Sequence, residues 1–296
     1  MSDDLDFSQP AGAPKPPPAP KPAAPSVPLY IPAVARSFFE SAGKEELVPA
    51  GTVFFSENEK ASRLFLKRDK MYFLLEGRVA LVVKGRPIGE PKVGEIFGEM
   101  AAISDSPRSA TAVAQTACRV ISLDDKSFAT ALSKKPEFAL MMLGTMIMRL
   151  RGMIAKLSGV PSGTQTKEQT RVFDKNLLAS MVKGLGEQSV VRYEKGKVIM
   201  VAGQTGALMY VVIDGFVGIS IRGALVERVG QGGIFGEMAL IDQSPRAANA
   251  TAETDCALLA INRQVFLNLV KSEPTFGISL LGAMAERLRN TAAALN

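Results

Sequence analysis

The 296-residue chain contains no histidine and no tryptophan, and only two cysteines, Cys118 and Cys256. Without histidine there is no imidazole acid or base, no Ser-His or Cys-His nucleophile, and no His-based zinc site. Two cysteines do not make a disulfide framework, and the cytoplasm is the default compartment. No run approaches eighteen uninterrupted apolar residues, so no membrane span is expected. The N-terminus, MSDDLDFSQP, is acidic and lacks the apolar core of a secretory signal. Strong charge of one sign is lacking too. The net charge of +6 divides as −1 over residues 1–35, +5 over 36–158 and +2 over 159–296, with no dense Lys/Arg run.

What is present is a duplication. MYFLLEGRVALVV begins at Met71 and MYVVIDGFVGISI at Met209, an offset of 138. From 71 to 151 the copies align without a gap, and about 30 of 81 positions are identical. A period this long marks a duplicated domain rather than a solenoid. Upstream, Gly51 pairs with Gly196 at an offset of 145, so copy one carries seven extra residues within SENEKASRLFLKRDK, read as a longer hairpin arm. Ahead of both copies, residues 1–29 form a Pro/Ala/Lys tail that cannot bury apolar surface. It is expected to be disordered or extended, a spacer or a docking peptide. The expected domains are 30–158 and 159–296, parted by the turn-rich SGVPSGT.

Each copy reads as strands, then helices. YFLLEG, VALVV, YVVIDG and VGISI are short β-branched runs bounded by Gly, and TAVAQTACRVISL and TAETDCALLAI continue the pattern. Helical spacing follows in DKSFATALSKK and NRQVFLNLVKS, and a longer helix follows Pro136 and Pro274. A further helix over TKEQTRVFDKNLLASMVKGL is expected to open copy two. The fold class is mainly β with α, two small jelly-roll-like barrels each flanked by helices.

The closest match between copies is a cassette, FGEMAAISDSPRSATA from Phe97 and FGEMALIDQSPRAANA from Phe235. Gly98 and Gly236 permit close backbone approach, and the short turn after them offers N–H groups to an anion. Arg108 and Arg246 can fork onto a phosphate. Glu99 and Glu237 would repel a bare phosphate but would accept from a sugar hydroxyl, so the pair points to a nucleotide of low charge. An internal Glu–Arg ion pair is the competing structural reading.

These cassettes resemble the phosphate-binding cassette of cyclic nucleotide-binding domains, with Ala102 as the one departure in copy one. The resemblance covers residues 31–296. It implies an eight-stranded β-roll with flanking helices, and cyclic AMP or cyclic GMP as ligand, with no metal, no cofactor and no catalysis. Carried over position by position, Glu99 and Glu237 would accept the ribose 2′-hydroxyl, and Arg108 and Arg246 would hold the cyclic phosphate. Gly98, Ala101 and Ser109 would complete the first site, and Gly236, Ala239 and Ala247 the second. Ser109 could favour cyclic GMP, whereas Ala247 favours cyclic AMP.

Relatives that bind DNA add a helix-turn-helix, and kinase regulatory subunits add an inhibitor segment. Neither is found here. The expected partners are a cyclic nucleotide and an unidentified protein effector, with no DNA, and oligomeric state is left open. A scaffold that has lost nucleotide binding, or a regulatory subunit of a kinase-type complex, are the alternatives. Three features read as structure. They are the Met-rich helix 141–153 as core or mobile lid, the cysteines as buried small hydrophobes, and Arg149, Arg151, Arg287 and Arg289 as cations suited to helix C-terminal halves.

Overall fold

The computed structural model describes residues 30–60, 69–104, 106–156 and 167–295. The Pro-rich tail, the centre of the proposed hairpin arm and the SGVPSGT break lie outside the described residues. Eight helices are described: α1 (Pro32–Glu40), α2 (Glu99–Ser104), α3 (Asp125–Lys134), α4 (Glu137–Lys156), α5 (Lys175–Leu185), α6 (Glu237–Asp242), α7 (Arg263–Ser272) and α8 (Pro274–Leu295).

Copy one folds eight strands into two four-stranded sheets, and copy two repeats the arrangement. In the first sheet Lys70–Glu76 pairs antiparallel with Cys118–Asp124, and in copy two Leu208–Asp214 pairs likewise with Cys256–Asn262. The alternation of apolar and polar residues gives each roll one inner face. Phe55, Tyr72, Leu74, Val79, Phe97 and Val120 fill the first, and Tyr210, Val212, Val217, Phe235 and Leu258 the second. The stack of Tyr72 on Phe97 recurs as Tyr210 on Phe235, each with ring centres 5.1 Å apart. Both cysteines are buried and unbridged in these rolls, as small hydrophobes.

Copy two carries one strand more. Lys167–Glu168 adds to its second sheet, parallel to Ala224–Val229. The expected helix from Thr166 is therefore shorter and starts at Lys175. Gln169, Val172 and Phe173 spend their backbone N–H groups on Arg228 and Gly232 instead, and the Asp174 side chain caps the helix at Leu177 N, 2.8 Å.

The helices do not segregate by copy. One apolar core takes Phe38, Phe138, Met142, Met146 and Ile147 from copy one and Phe173, Phe276, Leu280, Leu281 and Met284 from copy two. Within it α4 packs along α8, α8 also lies on α2, and α4 on α6. By length and composition α4 could cross a membrane, but half of its apolar window is buried in this shared core. The Met-rich stretch is thus mainly core, with Met148 exposed.

Candidate functional site

Each cassette begins where a two-residue strand, Ile96–Phe97 or Ile234–Phe235, passes through a left-handed glycine into a single helical turn. The glycine is required twice over. Gly98 has φ +75°, and a Cβ there would stand 2.7 Å from the Phe55 ring and 3.1 Å from Arg108 Nη1. Gly236 has φ +82°, and its Cβ would stand 2.7 Å from Arg246 Nη1. The glycine thus leaves room for the arginine that follows ten residues later.

Both arginines are folded inward and buried. Arg108 donates from Nη1 to the Gly98 carbonyl (2.7 Å) and from Nη2 to the Lys70 carbonyl (2.9 Å). Nη2 also lies 3.1 Å from Asp69, and the guanidinium sits 4.2 Å over the Phe55 ring. Arg246 repeats the pattern onto the Gly236 and Leu208 carbonyls, at 2.7 and 2.6 Å. Ala207 stands where copy one has Asp69, and no carboxylate lies within ion-pair distance of Arg246 among the described residues. Burial lowers the pKa of both guanidinium groups, and Asp69 opposes this at Arg108.

The cassette glutamates are buried as well, but they do not pair with the cassette arginines. Glu99 accepts from Arg149 Nη1 on α4 at 2.9 Å, and Glu237 from Arg287 Nη1 on α8 at 2.5 Å. The internal Glu–Arg pair is therefore not formed. Arg149 and Arg287 are not complements to their helix dipoles: neither lies in the last turn of its helix, and each bonds the glutamate of its own cassette. The missed signal was their shared repeat position, fifty residues beyond the glutamate in both copies.

Burial raises the Glu237 pKa by more than Arg287 lowers it. Burial works against the charge on Arg287 too, but Glu227 and Glu237 outweigh it and lift its pKa above the usual guanidinium value. Among the described residues two polar atoms at the sites are buried without a hydrogen-bond partner, the Nε of Arg108 and the Oε2 of Glu237. One is a donor and the other an acceptor.

In copy one Gly98, Glu99, Ala101, Arg108 and Ser109 line a single cavity of about 290 Å³, together with Phe55, Leu81 and Arg149. Its size is at the small end for ligand pockets, roughly 300–1,000 Å³. In copy two Gly236, Glu237, Ala239, Arg246 and Ala247 take the equivalent places by the repeat. No cluster of metal-ligating side chains occurs among the described residues.

A family model described as the cyclic nucleotide-binding domain matches residues 45–135 and again 190–273, together more than half of the chain. The chain belongs to the cyclic nucleotide-binding domain family. It is a tandem member, with one domain per roll. It is 26% identical over 228 residues to a cAMP-dependent protein kinase regulatory subunit of Eremothecium gossypii, covering 77% of this chain and 44% of that protein. A cyclic nucleotide-gated potassium channel of Rhizobium etli is 36% identical over 116 residues, 38% of this chain and 30% of the channel. The chain thus spans less than half the length of these curated relatives.

Among solved structures it is similar to the regulatory domain of Toxoplasma gondii protein kinase A with cAMP, at 20% identity and a TM-score of 0.31, covering 88% of this chain and 95% of that one. The regulatory subunit of a cAMP-independent protein kinase A from Trypanosoma brucei matches at 18% and 0.30, covering 79% and 76%.

Proposed function

We propose that the protein is a cyclic nucleotide receptor with two sites, one per roll, and that it acts on a partner protein rather than catalysing a reaction. The observation that carries this reading is the pairing of buried charge with an unfilled polar atom in each cassette. Among the described residues Arg246 is a buried cation without a carboxylate partner, beside a buried carboxylate whose Oε2 accepts nothing. Such groups are costly unless something satisfies them. A cyclic nucleotide supplies both complements, a singly charged phosphate for the arginine and a ribose hydroxyl for the glutamate. In the first site Arg108 is paired with Asp69 but keeps an unbonded Nε among the described residues, and Glu99 lines the same cavity.

In this reading Arg108 and Arg246 hold the phosphate, and Glu99 and Glu237 accept the 2′-hydroxyl. Gly98, Ala101 and Ser109 line the first site, and Gly236, Ala239 and Ala247 the second. Cyclic AMP is the shared ligand. Ser109 is exposed at its cavity, so the first site tolerates cyclic GMP better than the second, where Ala247 has no hydroxyl to offer. Arg149 and Arg287 couple each cassette to α4 and α8, the shared helices through which occupancy reaches the partner. The regulatory-subunit relatives favour a kinase-type enzyme as that partner.

Thermal melts test the ligand class. Saturating cyclic AMP, at about a hundred times its dissociation constant, adds about 2.7 kcal/mol per site. A marked rise in melting temperature is expected with cyclic AMP and little with adenosine. Equal melting curves with and without cyclic AMP would overturn the reading.

A further inference from the structure

Besides Asp69, which has no counterpart at Ala207, the two sites differ at one wall. In copy one Gly89 lines the cavity, and the Arg149 side chain is 55% exposed with Glu99 as its carboxylate partner. The repeat places Glu227 where Gly89 stands. Its carboxylate lies 3.2 and 3.3 Å from Arg287 Nε and 3.1 Å from Nη2. Arg287 also bonds Glu237 and, at 2.6 Å, the Ile234 carbonyl, and its side chain is only 14% exposed.

We propose that Glu227 lowers the affinity of the second site by enclosing Arg287 between two carboxylates. The inference rests on the nucleotide reading above. Three observations carry it. The first is space: a carboxylate side chain stands where the first site has none. The second is charge. Glu227 puts a second carboxylate on Arg287, whereas Arg149 in the first site meets Glu99 alone among the described residues. The third is rigidity. Residues 167–173 strap the strand that bears Glu227. Gln169 N bonds Arg228 O (2.8 Å), and its side-chain amide accepts from Ile234 N (2.8 Å) and donates to Ile234 O (3.2 Å) and Glu227 Oε1 (3.4 Å). Thr170 holds Glu286 on α8 at 2.8 Å. In copy one, by contrast, Arg86–Gly89 pairs with Val79–Val83 alone among the described residues. The carboxylate at 227 is thus fixed in place rather than free to swing into solvent.

The test is calorimetric titration of the full chain with cyclic AMP, comparing wild type, Glu227→Gln, Glu227→Gly and Gly89→Glu. The second site is identified as the step abolished by Arg246→Ala, and the first as the step abolished by Arg108→Ala. One unit charge in the wall of a partly wet site corresponds to about five- to tenfold in affinity for an anionic ligand. Both Glu227 variants are therefore expected to tighten the second step by about that factor and leave the first unchanged. Gly89→Glu is expected to weaken the first step. That residue has ordinary backbone angles, and no atom lies within 4 Å of where its Cβ would stand, so the variant can fold even if the Glu227 variants do not. Unchanged or weaker second-site binding in the Glu227 variants, or an unchanged first site in Gly89→Glu, overturns this inference and leaves the nucleotide reading standing. No binding heat from the wild type overturns the nucleotide reading and this inference together.

Discussion

Glu237 is the residue whose charge is hardest to keep. Burial raises its pKa, so the folded chain holds a proton there more tightly than the unfolded chain, whose value is 4.5. The resulting stability is fully present below that pH and is lost as pH rises through the higher folded value. Glutamine is a permanent stand-in for the protonated form, and Glu227 still pairs with Arg287 in its place. The melting temperature of Glu237→Gln relative to wild type is therefore expected to climb as the pH rises above about 4.5. A difference that stays flat or falls would show that Arg287 governs the charge of Glu237 instead. At the same scale, Ser109→Ala is expected to lower the affinity of the first site for cyclic GMP relative to cyclic AMP. Competition binding on the full chain reads this directly, and an unaltered ratio would remove Ser109 as a selector.

Among the elements, α4 is held from two sides. Arg149 reaches the first cassette, while Arg151 donates to both Asp242 carboxylate oxygens, one at 3.0 Å, and to the Pro245 carbonyl of the second. Residues two apart lie about 200° apart around a helix, so one element spans both cassettes. The link is one-sided: Ser104 occupies the place of Asp242 in copy one, leaving Arg289 no carboxylate at that position. Arg151→Ala is expected to uncouple the sites. Occupancy of one then ceases to shift affinity at the other, a loss of about 1–3 kcal/mol of coupling. Identical cooperativity in wild type and variant would contradict this.

The elements also show what the sequence could and could not say. Strands, the helices that follow them and the cassettes were legible because local patterning and the 138-residue repeat both marked them. The strap was not. Gln169 and Thr170 sit in a stretch with helical spacing, and only tertiary partners, Ile234, Glu227 and Glu286, hold them extended just after the edge strand Lys167–Glu168. Likewise the motif named Glu99 and Arg108 but not Arg149 or Asp69. Arg149 lies fifty residues from its partner, and Asp69 stands outside the gapless repeat.

At the scale of the molecule, the rolls keep separate cores while the helices share one. Phe173 stacks on Phe276 at 5.1 Å, and Phe38 on Phe138 at 3.7 Å, within the same helical cluster. The chain is therefore expected to unfold in one cooperative transition, with calorimetric and van't Hoff enthalpies in agreement. Phe276→Ala, which opens that core, is expected to cost about 3–5 kcal/mol and to lower the melting of both rolls together. Two resolved transitions, with only one displaced, would show that the halves are independent.

The central claim is that Arg108 and Arg246 each anchor one cyclic nucleotide. The most direct measurement is the number of cyclic AMP molecules bound per full-length chain at equilibrium. Two are expected for the wild type. Removing either arginine costs that site about 2–5 kcal/mol, roughly thirty- to several-thousand-fold, so one should remain for each single alanine variant and none for the double variant. A double variant that still binds two cyclic AMP molecules with wild-type affinity would contradict the claim.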